Sequence, residues 1–290
     1  MKLGMAGLGV MGHSVAENLL KNGFEMVLFD IRPEAMTDLV ENGATAVGSL
    51  EELGGAVDTV LLMVNTFEQY KSVLGGILKT MHSGTLINLG TVGMEHVIEL
   101  EKMAAAAGVS MLDCPVSGGS RGAKAGTLTI MASGTDELFE KYKSVLEAFS
   151  SRVIHVGPKV GDGQAVKAIN QLLVGVHMCA TAEAFTVARK CGLDLRTVYD
   201  TICSSAGMSR IFENRGEFVI ARDFNTRSTL EIQLKDTDIA CKTADAVGAP
   251  ALLGITAREL FKLAVKKYPP KDDSIEVIRL YEEMGGLEDE

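Results

Sequence analysis

Six residues near the start of the chain, Gly7-Leu8-Gly9-Val10-Met11-Gly12, stand between an apolar strand-like run at 2–6 and a helix-like run at 13–21. Few folds accommodate strand, G-x-G-x-x-G and helix in that order. The first glycine permits a tight turn, the second lets backbone approach a pyrophosphate, and the third lets helix and strand pack closely. The helix N-terminus then offers free N–H groups and positive dipole to an anion. A second apolar run, 26–29, ends at Asp30, 18 residues past Gly12. That is close to the ~20 expected of an acid that binds a ribose 2′-hydroxyl. The stretch predicts a dinucleotide site opening a Rossmann-type, doubly wound α/β domain. Asp30 repels a 2′-phosphate and favours NAD; Arg32 could hold that phosphate and leaves NADP open.

The alternation of strand and helix continues to about residue 156. Residues 39–46 read as a helix stopped by Gly43, 59–64 as a strand, 67–78 as a helix, 85–89 as a strand and 94–107 as a helix. A strand at 109–113 leads into Asp113-Cys114-Pro115-Val116-Ser117-Gly118-Gly119, a glycine-rich connection to a strand at 128–132. A helix at 137–148 and a strand at 153–156 follow, and Gly157-Pro158 marks a boundary. Strands such as 59–64 are continuously apolar, as in a parallel sheet covered on both faces. Ligands of open α/β sheets bind outside the carboxyl ends of the strands. Met63, Val64, Asn65, Thr91 and Ser117 all stand at such ends. Each fits an ordinary turn as well as a ligand contact. Ser117, Gly118 and Gly119 suit a carboxylate, because a hydroxyl and successive N–H groups of a glycine turn can enclose an anion. Cys114 has no histidine partner in sequence reach and reads as a small buried residue.

Residues 161–190 read as one long helix with Asp162 as N-cap, its apolar residues on more than one face and therefore buried on several sides. Lys167 and Asn170 share a helical face by their i, i+3 spacing. A lysine beside an amide could exchange a proton with a substrate hydroxyl, or be a solvated surface pair. Helical spacing recurs at 196–203, 210–221, 230–246, 251–266 and 273–284, with the last residues, 285–290, frayed. Two domains are expected: 1–160 for a dinucleotide, and an all-α C-terminal domain, 161–290, joined through a long interdomain helix.

A net charge of -10 argues against nucleic-acid or membrane-surface partners, which need a basic patch. The strand-like run begins immediately after Met1, leaving no room for a signal peptide. No apolar run approaches the ~18 residues that span a bilayer. Five scattered cysteines without a C-x-x-C pattern fit a reducing cytoplasm, and five histidines without ligand spacing predict no metal.

These features together resemble the β-hydroxyacid dehydrogenases, relatives of 3-hydroxyisobutyrate dehydrogenase and of 6-phosphogluconate dehydrogenase. Four stretches carry the resemblance: Gly7 to Gly12, Asp113 to Gly119, the G-x-G-x-x-x-K-x-x-N pattern from Gly161 to Asn170, and Lys235-Asp236. Cys114 stands where the family usually has alanine. The resemblance implies that Lys167 is the catalytic acid–base lysine and that Asn170 orients the substrate. It implies that Ser117, Gly118 and Gly119 hold the substrate carboxylate, and that Thr91 and Lys235 lie near nicotinamide and substrate. It also implies a helical second domain used in homodimers or homotetramers. Within the family, the stretches at 170–177, at Phe212 to Arg215, at Arg227-Ser228 and at Lys271 to Ser274 look like the L-threonate dehydrogenase branch, which oxidises four-carbon sugar acids with NAD. Asn214 and Arg215 could reach a hydroxylated substrate tail or cap helices. That branch carries histidine where this chain has Asn170. Two rival readings are an NADPH-linked reductase of tartronate or succinic semialdehyde, and a non-catalytic dinucleotide-binding module. Asp30 opposes the first. Lys167 with Asn170 and the Ser117 loop opposes the second. An imine reductase would usually replace the lysine.

Overall fold

A computed structural model describes residues 1–225 and 228–287. The chain divides into two compact units, Met1–Lys167 and Ala168–Glu290. In order, the first unit contains β1 (Lys2–Ala6), α1 (Val10–Lys21), β2 (Glu25–Phe29), a 3-10 turn (Pro33–Met36), α2 (Thr37–Glu41), β3 (Thr45–Ala46) and α3 (Leu50–Ala56). Then come β4 (Thr59–Leu62), α4 (Phe67–Ile77), β5 (Thr85–Asn88), α5 (Met94–Ala106), β6 (Ser110–Asp113), β7 (Val116–Ser117), α6 (Gly119–Ala125), β8 (Leu128–Ser133), α7 (Asp136–Glu147) and β9 (Ser150–Gly157). One sheet runs β3-β2-β1-β4-β5-β6-β8-β7, with β9 paired to β8. Its first six strands are parallel. β8 turns antiparallel to β6 through the single pair Asp113↔Ser133.

Strand residues alternate between two apolar layers. Met26, Leu28, Leu61 and Ile87 face α1 and α7 residues such as Leu19 and Leu146. Val27, Val60, Leu62 and Leu86 face the opposite layer, with Leu53, Leu74 and Leu100 from α3, α4 and α5. Each such fully buried side chain contributes roughly 1.5–3 kcal/mol of transfer free energy. The doubly wound sheet thus has the covering on both faces that its continuously apolar strands require.

One local expectation is corrected here, and two short helices stand where none was expected. The helix expected over 39–46 ends at Glu41. Gly43 and Ala44 turn their amides back to Val40 and Leu39, and Val47 then bonds to Leu28, so 45–46 join the sheet as β3. The connection after Ser117 holds a helix, α6, and the chain before β4 holds α3, which opens on a Ser49 cap bonded to the Glu52 amide. Both are short, seven residues each, and glycine-containing, which masks their periodicity.

The long helix α8 (Asp162–Lys190) has 29 residues, roughly 43 Å at the helical rise. Asp162 is its first residue, and its carboxylate accepts the Lys159 amide behind it at 3.2 Å instead of capping the turn ahead. The first-turn amides of Gly163 and Gln164 donate to Ser133 Oγ (2.9 Å) and Asp113 Oδ2 (3.1 Å). Side chains from the sheet therefore cap this helix. These bonds tie the first turn of α8 to the first unit, which runs to Lys167 inside the helix.

The second unit continues α8 and adds α9 (Leu195–Cys203), α10 (Arg210–Ile220), α11 (Leu230–Ala246), α12 (Leu252–Lys267), a 3-10 turn (Ser274–Val277) and α13 (Ile278–Met284). Asp194, Ser209 and Thr229 cap α9, α10 and α11 from their side chains, each worth about 1 kcal/mol. Its core gathers Met178, Ala182 and Phe185 of α8 with Phe212, Phe261 and Ile278. Within the chain α8 buries one stripe, not several. Ile169, Leu173 and Val187 are exposed. By length and composition α8 could cross a membrane, which the expectation from apolar run length overlooked; half of its apolar window is packed inside the protein. The chain end expected to fray is capped through 287, with the Gly285 and Leu287 amides bonded to Tyr281 and Glu282 carbonyls. Residues 288–290 of that expectation lie outside the described residues.

Candidate functional site

The glycine loop after β1 separates two kinds of glycine. Gly7 has φ +92°, and a Cβ there would lie 2.3 Å from the Met63 carbonyl oxygen. A Cβ on Gly12 would lie 2.0 Å from the Gly7 carbonyl oxygen. Both glycines are required by the chain's own packing, with Met63 and Val64 forming the wall. Gly9 is different. Its φ of -66° suits any residue, and a Cβ there would meet nothing within 4 Å. The space beside Gly9 is therefore open, and its backbone can be approached from outside the chain. Gly9 is also the N-cap of α1, which has no side-chain cap and no acid in its first turn. The first-turn amides of Val10, Met11 and Gly12 have no partner within the helix and form an anion seat.

Asp30 closes the other side of this seat. Its Oδ2 accepts the Leu8 amide at 2.6 Å and its Oδ1 accepts the Arg32 amide at 2.9 Å. The carboxylate is thus held at the tip of β2 and shapes the loop. The Arg32 guanidinium is mostly exposed and lies 3.4 Å from the same carboxylate. These residues fit a dinucleotide: an uncapped helix start, a cleared glycine and an acid one strand away. Asn65 is exposed at the end of β4, its amide donating to Gln69 in the cap of α4. Thr91 is half-buried in the loop after β5.

Ser117 ends β7 and is half-buried, and Gly118 and Gly119 are exposed. Their φ values of +132° and +62° place them where only glycine is unstrained. α6 starts there without a side-chain cap. The loop has a hydroxyl and adjacent amides of the kind that can face an anion.

A buried polar network, which sequence reasoning missed, stands at the carboxyl ends of β5, β6 and β8. Asp113, Asn88 and Ser133 are each 0 % exposed and Gln164 is 1 % exposed. Asp113 Oδ1 accepts Asn88 Nδ2 and Gln164 Nε2, both at 2.8 Å. Burial pushes the Asp113 carboxyl up to about 6, against the opposing pull of these donors. Burial also raises the Cys114 thiol, in keeping with the inert role expected of it. Lys167, only 6 % exposed, follows Gln164 by one helical turn.

In the second unit, Asn170 Nδ2 donates to Gln171 Oε1 at 2.8 Å, and Gln171 Nε2 donates to Asp236 Oδ2 at 2.6 Å. Lys235 Nζ lies 3.0 Å from Asp236 Oδ1, an ion pair out of line for a hydrogen bond. The structure thus links the expected residues Asn170 and Lys235 through Gln171 and Asp236, neither of which had been assigned a role. Asp236 was legible as part of the Lys235-Asp236 pair; Gln171 carried no signal. Arg215 donates to the fully buried Asp273 at 3.2 Å, which ties α10 to the segment before α13. Asn214 is exposed. Arg227 lies outside the described residues.

Residues 2–157 match the model of the NAD binding domain of 6-phosphogluconate dehydrogenase, and residues 161–281 match that described as NAD-binding of NADP-dependent 3-hydroxyisobutyrate dehydrogenase. The chain is 36% identical to an L-threonate dehydrogenase of Cupriavidus necator, covering 96% of this chain and 95% of that one. It is 33% identical to a 2-(hydroxymethyl)glutarate dehydrogenase of Eubacterium barkeri, covering 99% and 97%. Among solved structures, 3-hydroxyisobutyrate dehydrogenase from Salmonella typhimurium superposes with a TM-score of 0.88 at 35% identity, covering 97% of this chain and 99% of that one.

Proposed function

The chain belongs to the β-hydroxyacid dehydrogenase family, and from that premise we propose that it oxidises a four-carbon sugar acid, L-threonate or a close analogue, with NAD. It is an NAD(P)-dependent oxidoreductase acting on the alcohol of a hydroxy acid. The observation that carries the catalytic part of this reading is Lys167. It is 6 % exposed and stands one turn into a helix whose start is bonded to the strand ends of the nucleotide-binding sheet.

Oxidation of an alcohol removes a proton from oxygen and a hydride from carbon. Bound at the glycine loop, the nicotinamide cofactor supplies the hydride acceptor. Lys167 takes the hydroxyl proton in oxidation and returns it in reduction. Ser117 and the amides of Gly118 and Gly119 hold the substrate carboxylate. Asn170 orients the substrate, held by Gln171, and Lys235 contributes positive charge near substrate and nicotinamide. Asp30 takes the ribose hydroxyls, and because its own field repels a 2′-phosphate, NAD is preferred over NADP. The relative named for L-threonate supports the substrate class. The exposed apolar residues Ile169 and Leu173 of α8 and Leu252 and Leu253 of α12 support a homodimer or homotetramer. Five cysteines, all free, fit the cytoplasm.

The test is a set of initial rates with NAD and NADP on L-threonate, D-threonate, D-erythronate, D-glycerate and 3-hydroxyisobutyrate, with Lys167→Ala alongside. Turnover of a four-carbon acid with NAD, lost in Lys167→Ala, is the expected result. Activity on D-glycerate with NADP alone would replace this reading with that of a semialdehyde reductase.

A further inference from the structure

Gln164 uses its side-chain amide completely. Its Oε1 accepts the Val92 and Gly93 amides, both at 3.0 Å. Its Nε2 donates to the Gly90 carbonyl at 2.9 Å and to Asp113 Oδ1 at 2.8 Å. These backbone partners flank Thr91 on both sides. A saturated, buried amide has no capacity left for a ligand. Packing alone does not call for it, because a methionine of similar length would fill the same volume, although it would leave the Val92 and Gly93 amides and the Gly90 carbonyl without this partner.

The amide does something that an apolar side chain cannot: it fixes helix rotation. Ser133 and Asp113 cap the first turn of α8 and set its position along its axis. The Gln164 side chain reaches sideways to the loop at 90–93 and sets the angle about that axis. Lys167 leaves the helix three residues later, about 4.5 Å along the axis and on nearly the same side. We propose that Gln164 is a positioning residue for the dehydrogenase reaction, tying the first turn of α8 to the loop after β5 so that Lys167 and Thr91 keep a fixed relation. The inference rests on the reading of Lys167 as the proton-transfer residue.

Two variants of the full chain test it, with Lys167→Ala as the reference, on the panel acid that the parent oxidises fastest. Gln164→Met keeps the volume and removes the four bonds. A misplacement of about 1 Å costs roughly 100-fold in rate, so kcat should fall at least ~30-fold while KM and the NAD Kd change less than about threefold. Gln164→Glu keeps the acceptor for Val92 and Gly93 but sets a second carboxylate beside Asp113. At pH 8 it should be as slow as Gln164→Met. At pH 6 a proton shared by the two carboxylates rebuilds the donor, and its kcat relative to the parent at the same pH should recover about tenfold. The ionisable neighbours of Asp113, Tyr70 and Cys114, are both buried and pushed upward, so they stay neutral across this range.

Parental kcat in both Gln164 variants, with Lys167→Ala inactive, overturns the inference and leaves the functional reading intact. Equal slowness of Gln164→Glu at both pH values also overturns it, because a purely structural role predicts no recovery. Full activity of Lys167→Ala overturns the functional reading and the inference together. If Gln164→Met does not fold, the pH dependence of Gln164→Glu decides alone.

Discussion

Gly9→Ser separates what the glycine loop does for folding from what it does for binding. Gly9 is an N-cap in extended conformation, and a Cβ there would touch nothing within 4 Å. Serine caps a helix slightly better than glycine, by a few tenths of a kcal/mol. Losing a glycine also narrows the unfolded ensemble by about 0.4–1 kcal/mol. The variant should therefore be more stable than the parent by about 1 kcal/mol, or about 2–4 °C in Tm for a unit of this size. Binding should move the other way. The serine hydroxyl would accept the first-turn amides that a pyrophosphate needs. Two hydrogen bonds to a charged group, at about 1.5–3 kcal/mol each, amount to a loss of 100-fold or more in NAD affinity. Gly12→Ala is the control, because its Cβ would lie 2.0 Å from backbone oxygen. Overpacking of that kind costs about 1–3 kcal/mol, so its Tm should fall. The chain has no tryptophan, so titration calorimetry is the assay for NAD, and scanning calorimetry without cofactor gives Tm. Parental NAD affinity in Gly9→Ser would refute the placement of the pyrophosphate. A Tm drop of several degrees in Gly9→Ser would refute the claim that the space is clear.

Asp113 should make the first unit respond to mild acid. Burial raises its folded pKa to about 6, above the 3.8 of a free aspartate. Its contribution to stability is therefore fully present below 3.8 and is lost as pH rises through 6. Parent Tm minus Asp113→Asn Tm should increase as pH falls from 7 to 5; a constant difference would remove Asp113 as the source. In the second unit, Glu282 is almost fully buried and bonds Arg189 at 2.7 Å and Arg222 at 2.8 Å. Glu282→Gln removes the carboxylate that the two guanidinium groups share, and urea unfolding should show a loss of about 3 kcal/mol, reduced to the extent that the partly exposed Arg222 is solvated. A loss under about 0.5 kcal/mol would mean that water replaces the carboxylate at no cost.

Local chemistry made part of this protein legible without coordinates. Gly7, Gly9, Gly12 and Asp30 are separated by strand and helix lengths that fit one kind of turn, so the opening strand, loop, helix and second strand could be read from the sequence. The helical second half was equally readable, since 3.6-residue periodicity needs no partner to be recognised. Elements of seven residues were not: α3 and α6 are too short for a period to show, and β3 exists only because β2 is there to bond it.

What tertiary structure decided is which polar groups find each other. Asp162 has the chemistry of an N-cap, yet the α8 amides are capped by Asp113 and Ser133, brought together as cross-strand partners. Gln164 and Gln171 carried no signal, because an amide in a helix is unremarkable until its partners are known. A buried polar group must be paired or it costs free energy, and sequence neighbours cannot say with what. The chain itself determined a Rossmann-type unit, a helical unit and a lysine near the start of the long helix. The bonds that cap the first turn of the helix carrying that lysine exist only once the sheet has brought the ends of β5, β6 and β8 side by side.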